Sequence, residues 1–218
     1  MASDGSRYAA EMPSPDAAAD RVATPRLPAV ERRRQLLDVA LAVFATKGFH
    51  DASMNDLADA AGVTKPVIYQ HFGSKRGLYL ELLRDLGARM RDEVGKAVAE
   101  AGTPREQVER GFTAYFTWVA EHHGGFAVLF AGETRRDREF VREAIRSERE
   151  MADAIATLIV VDGLEPERRR LLAYGIVGMA ETTARHWLAN DLDLSAQALG
   201  EQIAALAWAG LRGQRPNR

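Results

Sequence analysis

The sequence predicts an all-α protein made of a small three-helix head, built around a helix-turn-helix, and a larger helical-bundle body. Three observations carry this. Apolar residues recur at helical spacing in one segment after another. The breaks between segments hold Ser, Thr or Asp at helix starts and Gly or Asn at helix ends. No stretch shows the alternating pattern of a strand. At 218 residues, with 46% hydrophobic and 28% charged residues, the chain is long enough to bury a core and is neither disordered throughout nor fibrous. It has no Cys, which excludes disulfides, thiolate metal sites and Cys nucleophiles. No apolar run approaches the roughly 20 residues of a membrane span, and the N-terminus lacks the apolar core of a signal peptide, so a cytoplasmic location is expected.

Residues 1–27 are rich in Ala, Ser, Pro and Asp without apolar periodicity and are expected to form a mobile tail. A head over residues 28–78 follows. Pro28 opens its first helix, whose stripe Leu36, Leu37, Ala40, Leu41 and Phe44 runs to a stop at Gly48, with Phe49 folding back on the last turn. Ser53 and Asp56 have capping-box spacing, so a second helix starts there, and Gly62 ends it. Thr64 is placed to cap a third helix, Lys65 to Phe72, with Pro66 in its first turn. Ser74 then starts a long helix through Leu78, Tyr79, Leu82, Leu83, Leu86, Met90 and Val94 toward Glu100, which links the head to a body over residues 79–212.

Within the body, Thr103, Pro104 and Glu106 form another helix start, and the helix carries Val108, Phe112, Tyr115, Phe116 and Val119, with Trp118 off the stripe. His122-His123-Gly124-Gly125 is expected to end it. A short apolar segment and the charged run of residues 132–139 lead to a helix expected to reach Val161, stopped by Asp162-Gly163. Pro166 opens a helix to Ala189 with Asn190 as an expected left-handed cap. Ser195 caps the last helix, which carries Ile203, Leu206, Ala207 and Leu211 and leaves a short tail over residues 213–218.

Two short helices joined by a three-residue turn form the unit whose second helix enters a DNA major groove. Around that second helix stand Lys65, Tyr69, Gln70, His71, Lys75 and Arg76, each able to donate to a phosphate or a base edge. The net charge of −2 does not oppose this, because binding depends on local potential, and Arg32, Arg33, Arg34, Lys47, Lys65, Lys75 and Arg76 concentrate in the head.

The run Gly62-Val63-Thr64-Lys65-Pro66-Val67-Ile68-Tyr69-Gln70-His71-Phe72, followed by Ser74-Lys75 and Leu78, resembles the signature of the tetracycline-repressor-type (TetR) transcriptional regulators. The resemblance covers about residues 30–80. It implies base contacts from Lys65 and Val67 with Thr64 and Gln70 beside them, and backbone contacts from Ser53, Tyr69, His71 and Lys75. It also implies a phosphate contact from the start of the first helix, at one of Arg32, Arg33 and Arg34. Gln70 departs from the large aromatic of the founding member, which bears on operator sequence. The family further implies a ligand-responsive body. The chain is expected to act as a homodimer, which demands a double-stranded DNA operator that is an imperfect palindrome, and linkage makes repression relieved by a small, largely apolar effector the default.

The body shows no G-x-S-x-G, H-E-x-x-H, phosphate loop or EF-hand, so no enzyme activity and no cofactor are expected. His122, His123 and Glu133 are a poor metal set, since adjacent helical His residues diverge. Phe112, Tyr115, Phe116, Trp118, Phe126, Phe130 and Trp187, with Glu181, are the candidate effector contacts, although aromatics at helical spacing also make plain core. Gly175 and Gly178 weaken a helix interior by about 1 kcal/mol each. Close approach of a second chain would explain them, so Gly175, Gly178, Ile203 and Leu206 are the candidate dimer contacts, with internal packing as the alternative. A small-molecule-binding helical enzyme or carrier whose head docks a protein is the competing reading of the whole chain.

Overall fold

Nine helices account for nearly all of residues 28–130 and 137–214, the part of the chain that the computed structural model describes. They are α1 (Ala29–Asp51), α2 (Met54–Ala61), α3 (Lys65–Phe72), α4 (Lys75–Ala99), α5 (Pro104–Glu121), α6 (His123–Phe130), α7 (Arg138–Leu158), α8 (Pro166–Ala189) and α9 (Ala196–Arg212). No strand occurs among the described residues. The tail expected over residues 1–27 lies outside them, as do residues 131–136 and 215–218.

The starts and stops follow local chemistry. Ser53 Oγ accepts from the Asp56 N–H at 3.1 Å while Asp56 accepts from the Ser53 N–H at 2.8 Å, a complete capping box. Gly62 sits at φ 63°, the left-handed conformation that lets the chain leave α2 and enter α3 within three residues. Ser74, Thr103 and Ser195 each cap through the side-chain oxygen, and Asp137 caps α7.

Several expectations are corrected. Gly48 (φ 75°) kinks α1 rather than ending it, and the added turn carries Phe49 into the core. Thr64 occupies the N-cap position of α3 without a side-chain bond, and the Val67 N–H that would serve it donates to the Thr64 carbonyl at 3.0 Å instead. The glycines after His123 start α6 instead of a loop, and Gly124 and Gly125 allow it to lie close on Ala45 and Leu86. Helix α7 ends at Leu158, three residues early, and Asp191 (φ 46°), not Asn190, takes the left-handed position.

Helix α4 leaves the head, α5 returns antiparallel to it, and α7 runs alongside α4 in the same direction, as the pairs Arg76–Asp137, Arg84–Glu143 and Arg91–Glu150 show. Helix α8 returns toward the head, and α9 lies along α5. Head and body meet in an aromatic cluster, with ring centroids at 5.0 Å for Phe44–Tyr79, 4.8 Å for Phe49–Phe140 and 4.6 Å for Tyr79–Phe140.

The helix contacts predict opposite outcomes for two glycines. A Cβ on Gly200 would stand 2.8 Å from the Thr113 Cα, against backbone that cannot yield without separating α9 from α5. Gly200→Ala should therefore destabilise by about 1–3 kcal/mol. Gly95 in α4 faces open space, so Gly95→Ala should stabilise by up to about 1 kcal/mol from helix propensity. Thermal denaturation of both variants distinguishes the signs.

Candidate nucleic-acid interface and effector cavity

Helix α3 buries Ile68 and Phe72 against the head and leaves Thr64, Lys65, Tyr69 and Gln70 in solvent, with Tyr69 45% exposed. Val67 and His71 are half-buried at the margin of that face. A short helix with one apolar side and three exposed donors on the other is shaped for a groove. Ser53 is exposed beside it, its hydroxyl engaged in the capping box. Lys47 donates to Asp56 at 2.7 Å, and this bond, with those from Ser53, holds the Asp56 carboxyl well below the usual carboxylate range.

Other head cations are committed internally. Lys75 donates to the carbonyls of Phe49 (2.7 Å), His50 (3.2 Å) and Ala52 (2.7 Å), and its nitrogen lies 4.6 Å from the Phe49 ring centroid. It closes the C-terminal turn of α1 with all three ammonium protons. Arg33 donates to the His71 carbonyl at 2.9 Å, pairs with Glu81 at 2.8 Å and covers the Phe72 ring. Arg34 pairs with Asp85 at 2.6 Å, and Arg76 pairs with Asp137 and Glu139 on α7 at 2.7 and 3.0 Å. Arg32 makes only a local bond to Gln35 among the described contacts.

The body encloses a cavity of about 440 Å³ between α4, α5, α7, α8 and α9. Its walls are Met90, Val94 and Val98 from α4, Val108, Gly111 and Phe112 from α5, Met151 and Ile155 from α7, and Ile176, Val177 and Ala180 from α8. Eleven residue steps on α5, from Pro104 to Tyr115, line it, which at ~1.5 Å per residue makes it about 16 Å long. The end nearer the head is lined by Met90, Tyr115, Phe130, Met151 and Glu181, with Ser147 and Glu148 of α7 beside them. The far end reaches the surface at Val160, 83% exposed, and at Arg212, Gln214 and Gln107.

Of the expected effector contacts, Phe112, Tyr115, Phe130 and Glu181 come together around this cavity. The other aromatics point elsewhere. Phe116 packs edge-on against Trp187 (6.3 Å), whose indole donates to the Leu194 carbonyl, while Trp118 stacks on His122 (5.0 Å) and Phe126 packs on Phe130 (4.8 Å). The aliphatic lining from α4 and α7, with Trp208 and Leu211 of α9, was not singled out from sequence; its only signal is the helical stripe that any core helix shows. No group of three His, Asp or Glu residues able to hold a metal occurs among the described residues, and Glu133 lies outside them. Likewise, among them no helix is long and apolar enough to cross a membrane.

Gly175 and Gly178 have open space where a Cβ would stand, which rules out the alternative of tight packing within the chain. With Leu171 they form an exposed stripe on α8, and Leu206, 61% exposed, lies on the outer face of α9; Ile203 is half-buried against the core.

A groove-sized helix on a small head, joined to a bundle with an apolar cavity, defines a ligand-responsive helix-turn-helix transcriptional regulator rather than an enzyme. The chain belongs to the TetR family: residues 36–82 match the family of bacterial regulatory proteins, tetR family, and residues 104–210 match the tetracyclin repressor-like C-terminal domain. It is 35% identical over 187 residues, 85% of each chain, to the HTH-type transcriptional activator FasR of Mycolicibacterium smegmatis. Among solved structures, a TetR-like transcriptional regulator from Rhodococcus sp. RHA1 is 28% identical with a TM-score of 0.68, over 87% of this chain and all of that one. The fold is shared with FadR from Bacillus subtilis, solved in complex with stearoyl-CoA (20% identity, TM-score 0.72, 81% of this chain and 98% of that one).

The Lys75 contacts carry their own prediction. Lys75→Met keeps the stem and removes three charge-assisted bonds to carbonyls that would otherwise be left unpaired, so the protein should lose about 2 kcal/mol of stability. Chemical denaturation followed by circular dichroism measures this, and an unchanged midpoint would mean that water replaces the ammonium at no cost.

Proposed function

We propose that the protein represses transcription as a homodimer on a palindromic operator and is released by a long aliphatic effector with a polar head. The observation that carries the effector class is the shape of the cavity, about 16 Å deep, apolar along its walls, closed toward the head and open at an end that offers Arg212 and two amides. At about 1.25 Å per carbon of an extended chain with ~1.5 Å bonds, some twelve carbons fill it. That FadR with stearoyl-CoA shares the fold agrees with a chain-and-headgroup ligand, such as an acyl-CoA. The test is a set of acyl-CoA esters of graded length added to the protein on DNA, where chains near twelve carbons should release it best.

For DNA, Lys65 and Val67 are proposed to read bases with Thr64 and Gln70, and Ser53, Tyr69 and His71 to meet the backbone. Lys75 supports the same surface by fixing the end of α1 beneath it. An operator is obtained by selecting bound fragments from random duplexes. Lys65→Ala should then cost about 1–3 kcal/mol on that operator and relax preference at one base pair per half-site, with a smaller loss on scrambled DNA. Equal losses on both duplexes in salt titrations would reassign Lys65 to the phosphates.

The dimer is proposed to form through α8 and α9, where Leu171, Gly175, Gly178 and Leu206 make an exposed face of small and apolar groups. Within one chain a Cβ at Gly178 would meet nothing within 4 Å, so Gly178→Leu should be tolerated by the monomer fold and obstruct a partner. Sedimentation should show weaker self-association together with weaker operator binding; an unchanged dimer at low micromolar concentration places the interface elsewhere.

A further inference from the structure

Tyr115 stands at the closed floor of the cavity, 8% exposed, and its hydroxyl has no hydrogen-bond partner. Buried phenols nearly always find one. Glu181 lines the same floor from α8, its Oε1 held by Arg185 at 2.8 Å. The two groups sense each other: burial, and after it the Glu181 charge, push the Tyr115 phenol far above its usual range, so it remains a donor. The floor thus offers the Tyr115 donor and the Glu181 carboxylate, which has several acceptor sites, to one cavity whose lining at that end also includes Glu148 and Ser147, the latter already accepting from Arg91.

Resting on the long-chain reading above, we infer that the effector carries a hydroxyl group on the part of its aliphatic chain that reaches the floor, accepting from Tyr115 and donating to Glu181. Other termini match less well. A plain methyl end leaves Tyr115 unpartnered and removes water from the carboxylate. A carbonyl serves Tyr115 alone, an ammonium has no acceptor for Tyr115, and a second carboxylate is repelled by Glu181. Only a hydroxyl both gives and takes at one atom. Sites built to hydrogen-bond a substrate hydroxyl discriminate strongly against the analogue without it, far more than an apolar pocket discriminates a methylene.

The test uses the full chain and ω-hydroxy fatty acids of ten to sixteen carbons against the unsubstituted acids of the same length. Binding is followed by calorimetry and by the fluorescence of Trp208, which lines the cavity. At the length that reaches the floor, the hydroxylated acid should bind about tenfold or more tightly than its parent. Tyr115→Phe should bring the two affinities together, with its melting midpoint reporting that the fold is kept. Parents that bind as well as their hydroxylated congeners at every length, or a preference that survives Tyr115→Phe, would overturn the inference and leave the long-chain reading standing. If neither series binds or weakens the complex with DNA, either as free acids or as their CoA esters, both fall.

Discussion

Helix α4 contributes Leu78, Leu82 and Leu83 next to the head and Leu86 and Met90 to the body, all buried, so one rigid rod lies in both cores. Neither part can be displaced without carrying α4 or breaking apolar contacts worth roughly 1.5–3 kcal/mol per large side chain. The aromatic cluster of Phe44, Phe49, Tyr79 and Phe140 fixes the joint, because rings from α1, α4 and α7 meet there. On either side, ion pairs set the register: Arg33–Glu81, Arg34–Asp85 and Arg89–Asp38 join α4 to α1, and Arg84–Glu143 and Arg91–Glu150 join it to α7. Each exposed pair adds little stability alone. Their repetition along the helix favours one sliding position of α4 over its neighbours.

The same pairs sort the basic residues of the head. Arg33, Arg34 and Arg76 face carboxylates, and Lys75 faces helix-end carbonyls. These cations shape the head, whereas Lys65, Tyr69 and Gln70 on α3 are presented outward. A chain with net charge −2 can in this way keep a local donor surface while most of its charges are matched.

What was legible in the sequence was local. The helix starts at Ser53, Ser74, Thr103 and Ser195, the turn at Gly62 and the apolar side of α3 all follow from residues within four positions of one another. Charge partners were not legible: Lys75 meets carbonyls 23 to 26 residues away, and Arg76 meets Asp137, 61 residues away. The cavity was half legible. Phe112 and Phe116 share a helical stripe, yet Phe112 faces the void and Phe116 faces Trp187, a choice made by where α9 and α8 lie and not by spacing. Gly124 and Gly125 misled for a related reason, since in isolation they break a helix and only the nearness of Ala45 and Leu86 shows what they permit.

The position of the cavity floor decides how a ligand can act on DNA. Met90 borders the floor and lies fifteen residues from the start of α4, about 22 Å at ~1.5 Å per residue. A tilt of α4 by about 5° at that level moves its head end by about 2 Å over the same length. Because α1 is tied to α4, the whole head travels with it. In the proposed dimer the two heads would move in opposite senses, changing their separation by about 4 Å against half-sites about 34 Å apart. Hydrogen bonds to base edges tolerate only a few tenths of an ångström, so a ligand need not unfold or disorder anything to release DNA. It has only to bind better to the tilted body, and a preference of about 1–3 kcal/mol, typical of coupled sites, then weakens operator binding by the same amount. A chain that merely fills the walls would favour both tilts nearly alike. A group gripped at the floor, next to Met90, is the part of the ligand placed to distinguish them.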